Sequence, residues 1–385
     1  MTRTHSFIIF FSIILVLYGS INTYIYIRGL QAIPNTSSLR PWFTIIFWFL
    51  ALSYFMARLL ERIALSWFTD ALVWIGSFWL GAMAYLIVII LAIDLFRLAN
   101  YILPFFPDFI TRNYQHAKQV TAFVVIGIVL LTIIGSRINA MMPSIKILEL
   151  TIHKKSPLSG LNIAMVSDVH LGTIICNSHF MRIVEKINSL KPDLVLFVGD
   201  LVDEDIKPVI RQNLGETLRQ IKSKYGIYAV TGNHEYIGGV EEACKYLVEH
   251  GVVMLRDSVE KIADAFILIG REDVSIRQFN GKRRKLLEDL IKEADKSLPI
   301  ILMDHQPLHL NDAVDCGVDL QLSGHTHHGQ LWPFNYIAQA VYELSRGYKQ
   351  KGNTHFYVSC GVGTWGPPMR SGNTPEVVNV KLKFY

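Results

Sequence analysis

Thiolate chemistry has little to work with in this chain. Its 385 residues include four cysteines, Cys176, Cys244, Cys316 and Cys360, and none forms a CxxC pair. That spacing argues against a zinc ribbon or a thioredoxin-type redox pair. An even count permits disulfides, but free, packed thiols are the simpler expectation. Charge of one sign is also scarce. A formal net charge of +5 is too mild to point to nucleic acid, and membrane-adjacent lysines or a solvated face account for it. Internal repeats and low-complexity tracts are absent as well. The most informative absence is charge itself, which is missing from four long stretches.

Hydrophobic residues make up 51% of the chain and mean hydropathy is +0.31, with nearly all of the excess before residue 140. The uncharged runs 7–27, 41–57, 71–93 and 120–136 mark expected spans at about 7–27, 41–58, 71–93 and 120–136, each near the roughly 20 residues that cross a bilayer core. Charges flank them: Arg3 and Arg28, Arg40 and Arg58, Asp70 and Asp94, Lys118 and Arg137. Tyr24, Tyr26, Trp42, Trp67 and Tyr101 lie near the ends, where amphipathic rings favour the interface. A cleaved signal peptide is the competing reading of the first run, but no small-residue cleavage site stands out and three further runs follow. Residues 1–140 are therefore expected to be a four-helix, multi-pass region in the cell membrane. Basic residues are level at five a side (Arg3, Arg58, Arg62, Arg137 and Lys146 against Arg28, Arg40, Arg97, Arg112 and Lys118), so they do not bias its orientation. The prolines at 104 and 107 make 101–107 an interfacial loop rather than a fifth span.

From about residue 145 the pattern changes to short apolar strands alternating with helical segments. Helices are expected at about 178–190, 206–222, 239–250 and 283–296, with an early strand at 146–152 and late strands at 356–359 and 377–382. The alternation implies a layered α/β domain over 145–385. Five of its strand ends deliver residues able to bind a metal ion. Asp168 and His170 follow strand 161–166; Asp200 follows 194–198; Asn233 and His234 follow 226–230; His305 follows 300–303; His325 and His327 follow 318–322. Carboxylate, amide oxygen and imidazole without thiolate exclude a structural zinc finger. The mixture suits manganese, iron or zinc, and the set is large enough for two ions sharing a carboxylate.

Asp168-x-His170, Gly199-Asp200, Gly232-Asn233-His234-Glu235, the His305 element and Gly324-His325-Thr326-His327 occur in the order of the calcineurin-like metallophosphoesterases, which this half of the chain resembles. The run 324–333, with 358–363 and Arg370, resembles the membrane-associated branch, similar to UDP-2,3-diacylglucosamine hydrolase-like phosphodiesterases. That branch implies glycine at 328, where this chain has His328. The resemblance implies a layered β-sandwich flanked by helices. It implies two divalent metal ions, one on Asp168, His170 and His327, the other on Asn233, His305 and His325, with Asp200 bridging. A two-metal-activated hydroxide would attack a phosphate ester, a diester above all, and His234 would be the catalytic hydrogen-bond or proton donor. Arg370 would clamp phosphate, and Gly199, Gly232 and Gly324 would make the turns. Asp203 and Glu235 are candidates to orient ligand histidines or merely to cap and solvate; Cys176 reads as packing, and His309 and the basic run 282–285 as surface.

The anchor favours a lipid or nucleotide-linked lipid as substrate, with the bilayer as partner. A nuclease of the same superfamily is the nearest alternative, and four spans with modest charge argue against nucleic acid. A membrane sensor or scaffold with a structural metal site is the other. An intact His234 beside an intact ligand set disfavours it.

Overall fold

The computed structural model describes residues 3–385, with side chains from residue 12 onward. Arg3 and residues 7–11, the start of the first expected span, have side chains outside the described residues. The chain forms two compact units, one of residues 1–135 with 366–368 and one of 136–365 with 369–385.

The first unit is built on helices α1 (Arg3–Ala32), α2 (Leu39–Ile63), α3 (Trp67–Ile102) and α5 (Tyr114–Ala140), the last running on into the second unit, with a short α4 (Asp108–Arg112) between. Four helices are long and apolar enough to cross a membrane. Each outruns the uncharged stretch that marks it, because the charged flanks remain helical. Ser66 and Thr69 start α3 with a reciprocal capping box. Ile25, Phe47, Ala51 and Trp79 form the shared core of α1, α2 and α3. Gly76 lets α3 meet the backbone of α2, since a Cβ there would lie 2.4 Å from the Tyr54 main chain. Two polar contacts tie the helices together: the Trp79 indole donates to Asn22 at 3.0 Å, and the Tyr18 hydroxyl to the Ala51 carbonyl at 2.5 Å.

The second unit begins with strands β1 (Ser144–Ile152), β2 (Gly160–Val166), β3 (Leu194–Val198), β4 (Ile227–Val230) and β5 (Val252–Met254). Six more follow, β6 (Ser258–Ile262), β7 (Phe266–Gly270), β8 (Ile300–Met303), β9 (Leu320–Ser323), β10 (Gly347–Lys351) and β11 (Thr354–Val358), before β12 (Glu376–Phe384). They make two six-stranded sheets, ordered β1-β12-β2-β3-β4-β5 and β10-β11-β9-β8-β7-β6. The last strand thus returns to the first sheet, parallel to β1 and antiparallel to β2. Strands β2, β3 and β4 run parallel to one another, as do β7, β8 and β9, so their C-terminal ends share one edge of each sheet. Inner-face residues of both sheets, among them Ile163, Leu196, Leu268 and Leu320, belong to one buried cluster. This is the layered α/β sandwich expected from the sequence.

Helix α6 (Asn177–Ser189) buries Phe180, Ile183, Val184 and Ile187 at the three-and-four spacing that marked it. The helix expected over 206–222 is broken into α7 (Lys207–Arg211) and α8 (Leu214–Leu218), because Asn213 between them is left-handed at φ 54°. Short α9 (Asn233–Gly238) precedes α10 (Val240–Glu249). α11 (Ile276–Phe279) and α12 (Leu287–Lys292) cover only part of the expected 283–296 region. α13 (Leu310–Asp315) and α14 (Asn335–Val341) had no distinct sequence signal. All four cysteines are free, with Cys244 and Cys360 buried and Cys176 and Cys316 half-buried.

His179 on α6 is buried, and neither ring nitrogen has a hydrogen-bond partner. Burial, then the positive charges of Arg137 and Arg182, pushes its pKa from 6.5 down to about 4. Between those values the unfolded chain takes up a proton that the folded chain refuses, so stability falls as pH falls. We expect this one group to cost on the order of 3 kcal/mol across that window. Chemical unfolding of wild type and His179→Leu at pH 6.5 and pH 4 checks it: the variant should lose less stability on acidification.

Candidate metal centre

The loops after β2, β3, β4, β8 and β9 meet at the sheet edges, and they carry all seven expected ligands and His234. Asp168, His170 and His327 converge, with His170 Nε2 3.0 Å from His327 Nε2 and His327 Nε2 3.5 Å from an Asp168 oxygen. Asp200, His305 and His325 form a second group, with His305 Nε2 3.1 Å from Asp200 Oδ2. The Asp200 charge acts on His305 in one group and on His170 in the other. Asn233 opens α9 and holds its Oδ1 buried without a hydrogen-bond partner.

The backbone bends sharply to achieve this. Asp168, His170, Asp200, His325 and His327 all have positive φ, between 44° and 70°. Non-glycine residues seldom adopt that region, and such strain clusters at functional sites. His328 is left-handed too, at φ 46°, a conformation that the glycine expected there would adopt without strain. Its Nδ1 meets Ser345 Oγ at 3.1 Å. The three motif glycines do different work. Gly199 takes φ 81°, as a turn-former should, and a Cβ there would also run into the His305 ring, whereas Gly232 and Gly324 are small for want of room alone. A Cβ on Gly232 would lie 2.1 Å from Asp200 Oδ1, and one on Gly324 2.4 Å from Asp168 Oδ2.

Around the ligands lies a dense set of supports. The His325 amide donates to Asp168 at 3.0 Å, and the His234 amide to Asp200 at 2.9 Å. His305 Nδ1 faces the Val198 carbonyl at 2.8 Å, which fixes the proton there and leaves Nε2 as the ligating atom. Asp203 Oδ1 lies 3.2 Å from His234 Nδ1 and 3.5 Å from His170 Nδ1, so one carboxylate faces both rings. Glu235 accepts from the amides of Asp200, Val202 and Gly232. It therefore braces two turns rather than a ligand histidine. Arg284, from the basic run read as surface, pairs inward with Asp304 at 2.8 Å, beside Arg271 at 3.2 Å.

Arg370 departs from its expected role as a phosphate clamp. It is fully buried, and its donors go to the carbonyls of Gly363 and Cys360 and to Asn373 Oδ1. Its Nη2 also faces His327 Nδ1 at 3.1 Å. It stands behind His327 with no donor turned to an open face, an arrangement that its position late in the chain does not reveal. Asn139, in the last turn of α5, donates to the Arg370 carbonyl at 2.9 Å and pins the same loop.

The titrating groups carry charge matched to a cationic guest. Burial works against ionisation of Asp200, but the positive charges of His305 and His234 hold it well below the usual carboxylate range. Burial lowers His234 and the negative charge of Asp200 outweighs it, leaving a value of about 9. Glu235 is pushed up to about 7 by burial and then by Asp200. His327 is held well below the ordinary imidazole value by burial, His170 and Arg370, and His325 is lowered by burial and His305. Buried carboxylates, imidazole nitrogens and an unpartnered amide oxygen are the donor set of a nitrogen-and-oxygen metal site, and they fit such a pair of ions. An N–H facing His327 Nδ1 favours the proton on Nε2, whereas a ligating ring is bare there. The same Arg370 Nη2 has an alternative acceptor in the Gly363 carbonyl at 2.6 Å.

Sequence reasoning missed Trp365. Its ring meets His234 edge-on at 5.6 Å, half its surface is exposed, and the Gln330 side chain bonds both its amide and its carbonyl at 3.0 Å. An exposed tryptophan just after the 358–363 block was the available signal.

The sequence model of the calcineurin-like phosphoesterases matches residues 161–329. An uncharacterized metallophosphoesterase of Helicobacter pylori is 34% identical over 242 residues, 62% of this chain and 64% of that protein. A transmembrane protein with metallophosphoesterase domain from Danio rerio is 32% identical over 275 residues, 68% of this chain and 62% of that one. An uncharacterized metallophosphoesterase of Aquifex aeolicus is 34% identical over 230 residues, 58% of this chain and 85% of that protein. The chain thus spans a little under two thirds of the length of the first two.

Gly232→Ala tests the packing of the bridge. We expect the methyl group to displace the Asp200 carboxylate, so that bound metal, read by plasma mass spectrometry, falls by at least half while circular dichroism is unchanged.

Proposed function

The chain belongs to the calcineurin-like metallophosphoesterase family, and from that premise we propose that it is a membrane-anchored hydrolase of phosphoric esters, a phosphodiesterase, in the cell membrane. The observation that carries this reading is the convergence of two ligand groups, Asp168 with His170 and His327, and Asp200 with His305 and His325, beside an oriented His234.

In this reading Asp168, His170 and His327 hold one divalent cation, Asn233, His305 and His325 hold the other, and Asp200 is shared. Two such ions, of manganese, iron or zinc type, supply charge neutralisation at phosphorus and a water acidic enough to attack it. The chain's own residues do the rest. Asp203 takes the Nδ1 side of His234, so Nε2 is the atom that donates to the phosphoryl or leaving oxygen. Arg370, Asn373 and Glu235 keep the ligand loops from relaxing, through bonds to His327 and to the turns at Asp200 and Gly232. Trp365 beside His234 offers a flat apolar face to the non-phosphate part of the substrate. Four candidate spans support a substrate that is itself membrane-borne, a lipid or nucleotide-linked lipid phosphate ester.

The test is hydrolysis of bis(p-nitrophenyl) phosphate and its monoester by the detergent-purified full chain with manganese, zinc, magnesium or chelator. We expect metal-dependent diester cleavage that chelator abolishes. His234→Ala should lower turnover about 10²–10⁴-fold with metal content retained, whereas Asp200→Ala should lose both. A folded, metal-loaded chain that cleaves neither ester would overturn the reading.

A further inference from the structure

The helical unit contains a second site that the hydrolytic reading does not use. A groove of about 1130 Å³ runs between α5 and the packed trio of α1, α2 and α3. It fits the packing: among the described residues, the cluster of Ile25, Phe47, Ala51 and Trp79 comes from the trio, with none from α5. Phe43, Trp79, Ala82 and Leu86 line one wall, and Ala122 and Val129 face them from α5. For most of its length the groove is apolar.

One end is different. Arg28 on α1, Arg97 on α3 and Lys118 on α5 line it, and Asp94 is the one carboxylate on the lining. Three cations against one anion leave two positive charges in excess. Asp94 is shared, lying 2.5 Å from Arg28 and 3.0 Å from Arg97, and it also accepts from the Tyr24 hydroxyl. Lys118 lies 5.5 Å over the Tyr114 ring and makes no ion pair among the described residues. A smaller cavity of about 410 Å³ adjoins this end, sharing Arg28, Asp94, Arg97 and Tyr114 and adding Asn100 and Thr111. The three cations flank the uncharged runs 7–27, 71–93 and 120–136 at the same end of the bundle, which puts them at headgroup depth.

We propose that this groove is a binding site for an anionic glycerophospholipid, with acyl chains along the apolar walls and the phosphate at Arg28, Arg97 and Lys118. The charge pattern selects the occupant. Basic pockets between transmembrane helices attract anionic headgroups. A second copy's apolar helix would leave the cations unmet, and a free phosphate would leave the groove unfilled. A zwitterionic lipid brings its own cation and gains less. The site stands independently of the metal centre.

Native mass spectrometry of the delipidated full chain tests this, with phosphatidylglycerol, phosphatidylcholine and sn-glycerol 3-phosphate as separate probes. We expect one phosphatidylglycerol to be retained, with a preference over phosphatidylcholine of about tenfold, and no retention of glycerol 3-phosphate. Arg97→Gln with Lys118→Gln should abolish the preference, and Lys118→Gln alone should reduce it if the double variant does not fold. Ala122→Trp, which fills the groove and keeps the cations, should reduce retention of both lipids. Equal retention of the two lipids by wild type would overturn the proposal. Binding of glycerol 3-phosphate as tight as that of phosphatidylglycerol would reduce the site to an anion pocket and overturn it as well.

Discussion

Ile163, Met165, Leu196 and Val198 on one sheet pack against Leu268, Ile301, Met303 and Leu320 on the other, and the candidate metal centre depends on that contact. Asp168, His170, Asp200 and Asn233 leave the ends of β2, β3 and β4, whereas His305, His325 and His327 leave the ends of β8 and β9. Neither sheet holds a complete ligand group. Asp168 and His170 need His327 from across the sandwich, and Asp200 needs His305 and His325. Burial of apolar surface between the sheets, the dominant favourable term in folding, is therefore also what assembles the chemistry.

The assembled site is costly to hold. Five candidate ligand residues have left-handed backbone, a strain of order 1–3 kcal/mol each, and two carboxylates are buried beside imidazoles. What offsets this is a shell of buried hydrogen bonds with few alternatives. Glu235 collects three amides, and Arg370 spends its donors on the loop behind His327. The result is a set of carboxylate, imidazole and amide donors already brought together in a form that suits cations.

In the helical unit, length and charge divide the labour differently. α3 has 36 residues, a rise of about 54 Å, well beyond a bilayer core of about 30 Å. Its final turns therefore carry Asp94 and Arg97 where charge is tolerated. Among the described residues, α1, α2 and α3 form a core without α5, and the groove beside α5 fits that packing.

Local chemistry made much of this molecule legible in advance. Uncharged runs long enough to span a bilayer, strands ending in Asp-x-His, Gly-Asp, Gly-Asn-His and Gly-His-Thr-His, and the alternation of strand and helix are all patterns of near neighbours, and covalent order alone determines them. The long apolar helices, the layered α/β sandwich and the set of strand-end residues that the turns bring together could therefore be read from the sequence. Pairings distant in the chain could not. Sequence does not say that β12 inserts between β1 and β2, that Arg370 turns inward to His327 instead of outward to phosphate, or that Arg284 leaves its basic run for Asp304. Nor does it say that Gly232 is required by the Asp200 side chain and not by a turn, or that Trp365 lies against His234. Each of these is decided by which surfaces meet when the sheets close, a free-energy balance summed over the whole core that no local stretch contains.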